Sequence, residues 1–173
     1  MIRNVHERVI NAPIDRLGPL LDGLGQKNDC LWPSKYWPPM ILDRPLSLGA
    51  NGGHGGIHYH VVEYQPGTRV RFSFNPETGI KGIHELSLDA LPDGRCRIRH
   101  VLIGRTHGLM RLVFKLAVEP LHNAVIEDLF DSAERETTGK LAHPVKWSLL
   151  VRLLRWIFRE GKTSGKDGGA GPA

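Results

Sequence analysis

The sequence predicts an α+β fold in which a long C-terminal helix lies across a curved antiparallel sheet. Three observations carry this prediction. Segments with apolar residues at alternate positions follow one another between residues 57 and 104. Hairpin and turn signals separate them, at Pro66-Gly67 and Asp93-Gly94. Helical periodicity then extends over residues 108–136, so the strands come before the helix and do not alternate with it.

The first half of the chain predicts one strand, short helices and a long connection. Residues 4–13 alternate Val5, Glu7 and Val9 with His6, Arg8 and Ile10, a strand that ends at Pro13. Residues 12–25 predict one or two short helices, broken at Gly18-Pro19. Residues 30–56 are rich in proline and glycine yet contain Trp32, Tyr36 and Trp37, and these aromatic rings indicate packing against another element.

The second half predicts a strand meander followed by helices. One apolar face of the meander contains Val70, Phe72, Phe74, His84, Leu86, Leu88, Ile98, His100 and Leu102. The long helix would turn Leu112, Leu116, Leu121, Val125 and Leu129 inward, and most of Glu127, Asp128, Asp131 and Glu134 outward. Pro120 would kink or split this helix. A further helix is predicted over residues 145–160 and a flexible tail over residues 161–173.

Composition narrows the functional classes. The chain has 173 residues, which favours one domain, and its 40% apolar content is ordinary for a globular protein. The two cysteines form neither a disulfide framework nor a zinc motif, and no secretory signal opens the chain, so we expect a cytoplasmic protein. Residues 1–139 carry sixteen basic and sixteen acidic side chains, so the net charge of +5 arises from residues 140–173. A neutral main domain argues against nucleic-acid binding.

Four stretches resemble the SRPBCC superfamily, also called START-like or polyketide cyclase/dehydrase-like. They are "INAPIDRL" after the first strand, the hairpin "GIHYHVVEYQPGTRVRFSF", the hairpin "GIHELSLDALPDGRCRIRHVLIG" and "EPLHNAVIEDLFDSAE" in the long helix. The resemblance covers about residues 4–138. It implies a helix-grip fold with a cavity between helix and sheet for apolar or amphipathic small molecules. Some members of the superfamily cyclise polyketides, and others carry lipids or hormones.

The predicted organisation follows from this resemblance and from the composition. Residues 1–138 would form the helix-grip domain, residues 139–160 a basic amphipathic helical extension, and residues 161–173 the tail. The extension is an addition to the family pattern. We expect no nucleotide cofactor, because the glycine-rich residues 49–56 lack both common phosphate-binding motifs. We also expect no metal, because nothing in the sequence holds His54 close to His58 and His60.

His84 and His100 are the main candidate site residues. Each shares the apolar face of its strand, and the Asp93-Gly94 turn makes the two strands neighbours, so both rings are predicted to point between sheet and helix. Three roles stay open: ligand contact, general acid or base catalysis of a cyclisation, and a hydrogen-bonded core position. The predicted ligand-contacting residues are Trp32, Trp37, Tyr59, Phe72, Phe74, His84, Leu86, His100 and His122.

The "GGHGGIHYHVVEY" stretch predicts a strand and not a metal site. His58 and His60 share the face opposite Ile57, Tyr59 and Val61, and nothing holds His54 close to them. We expect His58 and His60 to be exposed to solvent.

The C-terminal helix has too large an apolar surface to stand free in water. We expect it to pack against the domain or a second copy, or to lie on a membrane surface. Its predicted contact residues are Trp147, Arg152, Arg155, Trp156 and Arg159. The sequence as a whole predicts a binder of a hydrophobic small molecule. The alternatives are a cyclase that uses a cavity histidine, and a peripheral membrane or partner-binding protein.

Overall fold

The computed structural model describes residues 1–160 and forms one seven-stranded antiparallel sheet with helices. The strands are β1 (Ile2–Ile10), β2 (Ile41–Leu42), β3 (Asn51–His54), β4 (Ile57–Gln65), β5 (Arg69–Phe74), β6 (Lys81–Ala90) and β7 (Cys96–Arg105). The helices are α1 (Ile14–Asp22), α2 (Leu109–Val113), α3 (Glu119–Thr138) and α4 (Leu149–Glu160). The predicted α+β helix-grip architecture is confirmed. The predicted tail over residues 161–173 lies outside the described residues.

The sheet has the strand order β1-β7-β6-β5-β4-β3-β2. From β2 to β7 each strand pairs with the next strand along the chain, and β1 pairs with β7 at the edge of the sheet. The inward face of β5, β6 and β7 carries buried residues that include Phe72, Leu86 and Ile98. These side chains form the core together with Leu129 and Phe130 of α3. The predicted alternation of the meander is therefore present in the structure.

Helix α1 continues through Pro19 and is not broken into pieces as the sequence indicates. Leu17 and Leu21 are almost fully buried in the core, and this burial outweighs the hydrogen bond that proline cannot donate. Gly18 is required by close packing. A Cβ at this position would lie 3.0 Å from the carbonyl oxygen of Gly67 in the β4–β5 turn.

Strand β1 turns its polar residues toward α3, and this corrects the predicted outward position of the acidic residues of α3. Arg8 donates to Asp131 over 2.7 Å and to Glu127 over 3.0 Å, and it lies 3.2 Å from Glu134. Val9, on the other face of β1, is exposed. The inward face of β1 combines these polar residues with the buried Ile10, because the basic residues of β1 and the acidic residues of α3 neutralise each other where they are partly buried.

A π-helical turn, Phe114–Val118, joins α2 to α3 and shifts the helical phase. Phe114 is buried as a result, whereas Leu112 and Leu116 are exposed. The prediction that these two leucines face the sheet is wrong. Val125 and Leu129, which follow the π turn, are buried as predicted.

Helix α4 packs on the domain along one face. It begins at Leu149 and not at Val145, because the Ser148 hydroxyl caps it by accepting from the Val151 amide. Val151 is buried, and the Arg155 guanidinium lies 3.8 Å from the ring centroid of Trp147 and 4.7 Å from that of Trp37. Arg155 also donates to the backbone carbonyl of Tyr36.

Asp128 links α3, the connection before β2 and the segment before α4. Its Oδ2 accepts the indole N–H of Trp37 over 2.6 Å and that of Trp147 over 2.8 Å. Burial is the largest influence on this carboxyl and raises its pKa, and the two indole hydrogen bonds oppose that rise.

We expect Asp128→Ala to lower the free energy of unfolding by about 2–4 kcal/mol, because it leaves two indole donors without their acceptor. Glu136→Ala, at an exposed position of the same helix, is the matched control and should change stability by less than about 0.5 kcal/mol. Urea unfolding measures both. Equal stability of the two variants would contradict the linking role of Asp128.

Candidate functional site

Four histidines from four different elements form a row between α3 and the sheet. His84 lies on β6, His100 on β7, His122 on α3 and His6 on β1. Strand register produces the arrangement: His6 is directly opposite His100, and His100 is opposite Leu86, two residues from His84. Cross-strand neighbours share a face, so the three strand histidines point the same way.

The four rings of this row follow one another in the order His6, His122, His100 and His84. Ring centroids are 6.3 Å apart for His6 and His122, 5.0 Å for His122 and His100, and 5.7 Å for His100 and His84. His100 is buried, and His84 and His122 are half-buried. The predicted juxtaposition of His84 and His100 is therefore present, with His122 joining them from the helix.

Aromatic side chains surround the His84 end of the row. Its ring lies 4.9 Å from the centroids of Phe72 and Phe74, stacked on both, and 4.5 Å from Tyr59, edge-on. Tyr59 and Phe72 are fully buried. The site therefore combines imidazole nitrogens with a wide apolar surface.

His54 extends the row at the far end, although the sequence shows nothing that holds it in place. Its Nδ1 lies 3.0 Å from the Tyr59 hydroxyl, and its ring packs 4.5 Å from that of Trp32. The inward polar face of β1 likewise brings in His6, which sequence reasoning missed. Sequence position alone identifies neither residue: alternation in β1 does not say which face is inward, and His54 lies in a glycine-rich stretch three residues before β4.

The inner histidines are neutral at pH 7. Burial is the main cause that lowers the pKa of His54 to about 4 and that of His122 to about 3. Burial also lowers the pKa of His84 and His100 well below the ordinary value, and neighbouring histidines add to the effect. Each of these rings therefore offers one N–H donor and one bare nitrogen acceptor.

His6 is different from the rest of the row because its surroundings favour the protonated ring. Its Nδ1 donates to Glu127 over 2.7 Å and its Nε2 donates to Asn123 over 3.1 Å, so both ring nitrogens face oxygen acceptors. The hydrogen bond to Glu127 is the largest influence and raises the pKa of His6. This imidazolium is one cause of the lowered pKa of His122.

Two buried nitrogens of the row have no hydrogen-bond partner among residues 1–160. They are Nε2 of His84 and Nδ1 of His100. An unpaired buried polar group costs about 1–3 kcal/mol, so native structures pair nearly all of them. Two such atoms in adjacent side chains mark the place where the protein interior can accept a polar group.

The other predicted ligand-contacting residues lie in two places. Leu86 is buried opposite His100, inside the site. Trp32 contacts His54 at the end of the row and donates its indole N–H to Pro38. Trp37 lies away from the histidines, between α3 and the segment before α4, and contacts Trp147.

The outer face of β4 has no part in the row. His58 is more than half exposed near Glu77, and His60 is hydrogen-bonded to Asn75 over 2.8 Å. Among the described residues, no group of three or more histidine, cysteine or acidic side chains is placed to hold a metal ion.

The predicted membrane or partner contact residues separate into two sets. Trp147 and Arg155 pack against the domain. Arg152 and Trp156 are exposed. Arg159 belongs to the last turn of α4.

Two surface cavities lie outside the histidine row. The first, of about 630 Å³, lies between the start of β1 and α2 and includes Ile2, Arg3, Leu112 and Phe114. The second, of about 540 Å³, lies between α3 and the residues that lead into α4. Lys115 and Glu119 border both cavities.

Comparison with known proteins supports the fold. No family model and no curated protein matches the sequence. Among solved structures, a Thermobifida fusca protein matches with a TM-score of 0.61 at 14% identity, over 84% of this chain and all of that one. CalU16 from Micromonospora echinospora matches with a TM-score of 0.54 at 16% identity, over 94% of this chain and 86% of CalU16. The Aha1 dimer structure from Colwellia psychrerythraea matches with a TM-score of 0.54 at 14% identity, over 81% of this chain and 99% of that one.

At these identities the likeness establishes the helix-grip fold alone. The match to CalU16 covers more of the chain than residues 1–138 can supply, since 138 of 173 residues is about 80%. The structural match to CalU16 therefore extends past the end of α3 at Thr138. None of the helices within residues 1–160 is long and apolar enough to cross a membrane.

We expect acid to destabilise the fold through the inner histidines. Their pKa values in the folded protein lie below the unfolded value near 6.5. Their contribution to the free energy of unfolding is therefore complete above that pH and is lost as the pH falls toward 4. Each adds a slope of up to about 1.4 kcal/mol per pH unit. His6, whose pKa is raised, does not contribute to this acid loss. Urea unfolding between pH 7.5 and pH 5 measures the slope.

His122→Gln should reduce this slope by about one histidine's share. His143→Gln, at an exposed position after α3, is the control and should leave the slope as it is in the wild type. A slope that His122→Gln does not change would contradict the burial of a neutral imidazole at this position.

Proposed function

We propose that the protein binds a hydrophobic or amphipathic small molecule between α3 and the middle of the sheet, at the histidine row. The observation that carries this proposal is the pair of unpartnered buried nitrogens on His84 and His100. A polar group of the ligand would hydrogen-bond to them, and its apolar part would contact the aromatic rings beside them.

The chemistry of the row favours a ligand with a small number of polar atoms. Neutral imidazoles can donate to a carbonyl or accept from a hydroxyl, so ketones, phenols, enols and carboxylic acids are suitable partners. Phe72, Phe74 and Tyr59 would bind a ring or chain through apolar contact. A lipid or a polyketide-like molecule has both features.

The position of α3 supports binding at this place. Its backbone lies close to β1 and farther from β5, β6 and β7, so side chains alone occupy the space above the middle strands. His122 is the residue that α3 directs at His100 in this space. Rotation of a half-buried imidazole such as His122 or His84 would admit a ligand without displacing the backbone.

Catalysis is the second candidate function, and one observation favours it. The Tyr59 hydroxyl lies 3.0 Å from Nδ1 of His54, and the Tyr59 ring packs edge-on against the ring of His84. A neutral histidine could remove a proton from a carbon next to a carbonyl, and the tyrosine could donate to the resulting oxygen, as an aldol-type cyclisation requires. Such a reaction would slow in acid, when the histidine becomes protonated, and would need neither metal nor nucleotide.

We expect 1-anilinonaphthalene-8-sulfonate, an amphipathic aromatic probe, to bind the full-length protein with a rise in fluorescence. His84→Leu and His100→Leu should each weaken this binding about tenfold, because one hydrogen bond of about 1.4 kcal/mol is lost. His60→Leu, on the outer face of β4, is the matched control and should leave the affinity unchanged. Affinities that are equal in all four proteins would contradict the site assignment.

A further inference from the structure

Helix α4 exposes an apolar face opposite the face that packs on the domain. Its inward residues Val151 and Arg155 lie one turn apart, and the outward arc contains Leu149, Leu150, Leu153, Trp156 and Ile157. Leu149 is 81% exposed and Trp156 57%. Contact with the domain therefore leaves this large apolar surface in water.

Helix α2 and the π turn expose a second apolar face. Leu109 is 75% exposed and Leu112 56%, and Val113 and Leu116 lie on the same side. The phase shift at the π turn produces this surface, since Phe114 takes the inward position. Contiguous apolar surface on a monomeric protein usually marks a binding site.

The π turn and the start of α4, which adjoin the two faces, flank the same groove. The cavity between α3 and α4 is lined by Lys115 and Glu119 on one side and by Trp147, Ser148 and Val151 on the other. Lys115 belongs to the π turn and pairs with Glu119 over 2.7 Å. The π turn and the start of α4 are therefore on neighbouring parts of the molecule.

Charge identifies the kind of surface that these faces fit. Residues 105–118 and 141–158 contain no aspartate or glutamate, and they include the basic residues Arg105, Arg111, Lys115, Lys146, Arg152 and Arg155. Arg152 is exposed on α4, and Arg111 and Lys115 are exposed around the π turn. Apolar arcs beside basic side chains are typical of helices that lie on anionic lipid.

A second copy of the chain fits this surface less well. In a symmetric dimer the same patch meets itself across a two-fold axis. Arg111 and Arg152 would then meet a surface of the same charge, because residues 105–118 and 141–158 contain no acidic residue, whereas Lys115 is already paired with Glu119. Anionic headgroups supply the opposite charge directly.

We infer that the faces of α2 and α4 dock on an anionic lipid surface, independently of what the histidine row binds. Helix α4 has 12 residues and a length of about 18 Å, so it would lie in the plane of the interface and not cross it. Leu149, Leu153 and Trp156 would insert among the acyl chains, with Arg152 near the headgroups. This lipid contact adds a location to the proposed binding function and depends on different residues.

The test is co-sedimentation of the full-length protein with vesicles of phosphatidylcholine alone or of phosphatidylcholine and phosphatidylglycerol at equal parts. The variants are Leu149→Glu/Leu153→Glu on α4 and Leu112→Glu/Leu116→Glu on α2 and the π turn, called the α2 variant. Leu48→Glu, at a loop position that is 74% exposed, is the matched control. All substituted leucines are exposed, so the variants should stay folded, and circular dichroism checks this.

We expect the wild type and Leu48→Glu to bind the anionic vesicles at least about tenfold more tightly than phosphatidylcholine vesicles. The α4 variant should bind the anionic vesicles at least about tenfold more weakly than the wild type, and the α2 variant should lose a smaller factor. His84→Leu and His100→Leu should bind these vesicles as the wild type does. Absence of sedimentation, equal binding to both vesicles, or equal binding by the α4 variant would overturn the inference. So would a wild-type dimer in solution that the α4 variant converts to a monomer.

Discussion

The polar contact between β1 and α3 is the constraint on which the rest of the interior depends. Arg8 engages three carboxylates of α3, and His6 and Asn4 add contacts to Glu127 and Asn123. Removal of one partner from a partly buried ion network leaves an uncompensated charge, so these contacts fix the helix in one position. They hold α3 along β1, and the space above the middle strands is left to side chains.

Histidine side chains occupy that space, and their burial lowers the stability of the folded protein. Four imidazoles are held neutral by burial, and two of their nitrogens find no partner among residues 1–160. Apolar residues at these positions would give a more stable core at acid pH. A core that retains polar groups at a stability cost is typical of a binding or catalytic site.

The sequence predicted the parts of this arrangement that depend on local pattern. The Asp93-Gly94 turn and the alternation of β6 and β7 are sufficient to place His84 and His100 side by side. The inward position of His6 was not predictable, because alternation does not say which face is inward and its partner Glu127 is 121 residues away. The exposed leucines of α2 depend on a π turn, for which the helical period gives no signal. Asp128 appears in the sequence as one acidic residue among several, and its two indole partners come from distant segments.

Binding of a molecule at the histidine row is tested most directly by native mass spectrometry of the purified full-length protein. The wild type should include a species heavier than the 19.3 kDa chain, with an added mass that extraction releases as one lipid-like or aromatic compound. The His84→Leu/His100→Leu double variant, purified in the same way, should appear at the mass of the polypeptide alone. The same added mass in both proteins, or none in either, would contradict the assignment of the histidine row as the binding site.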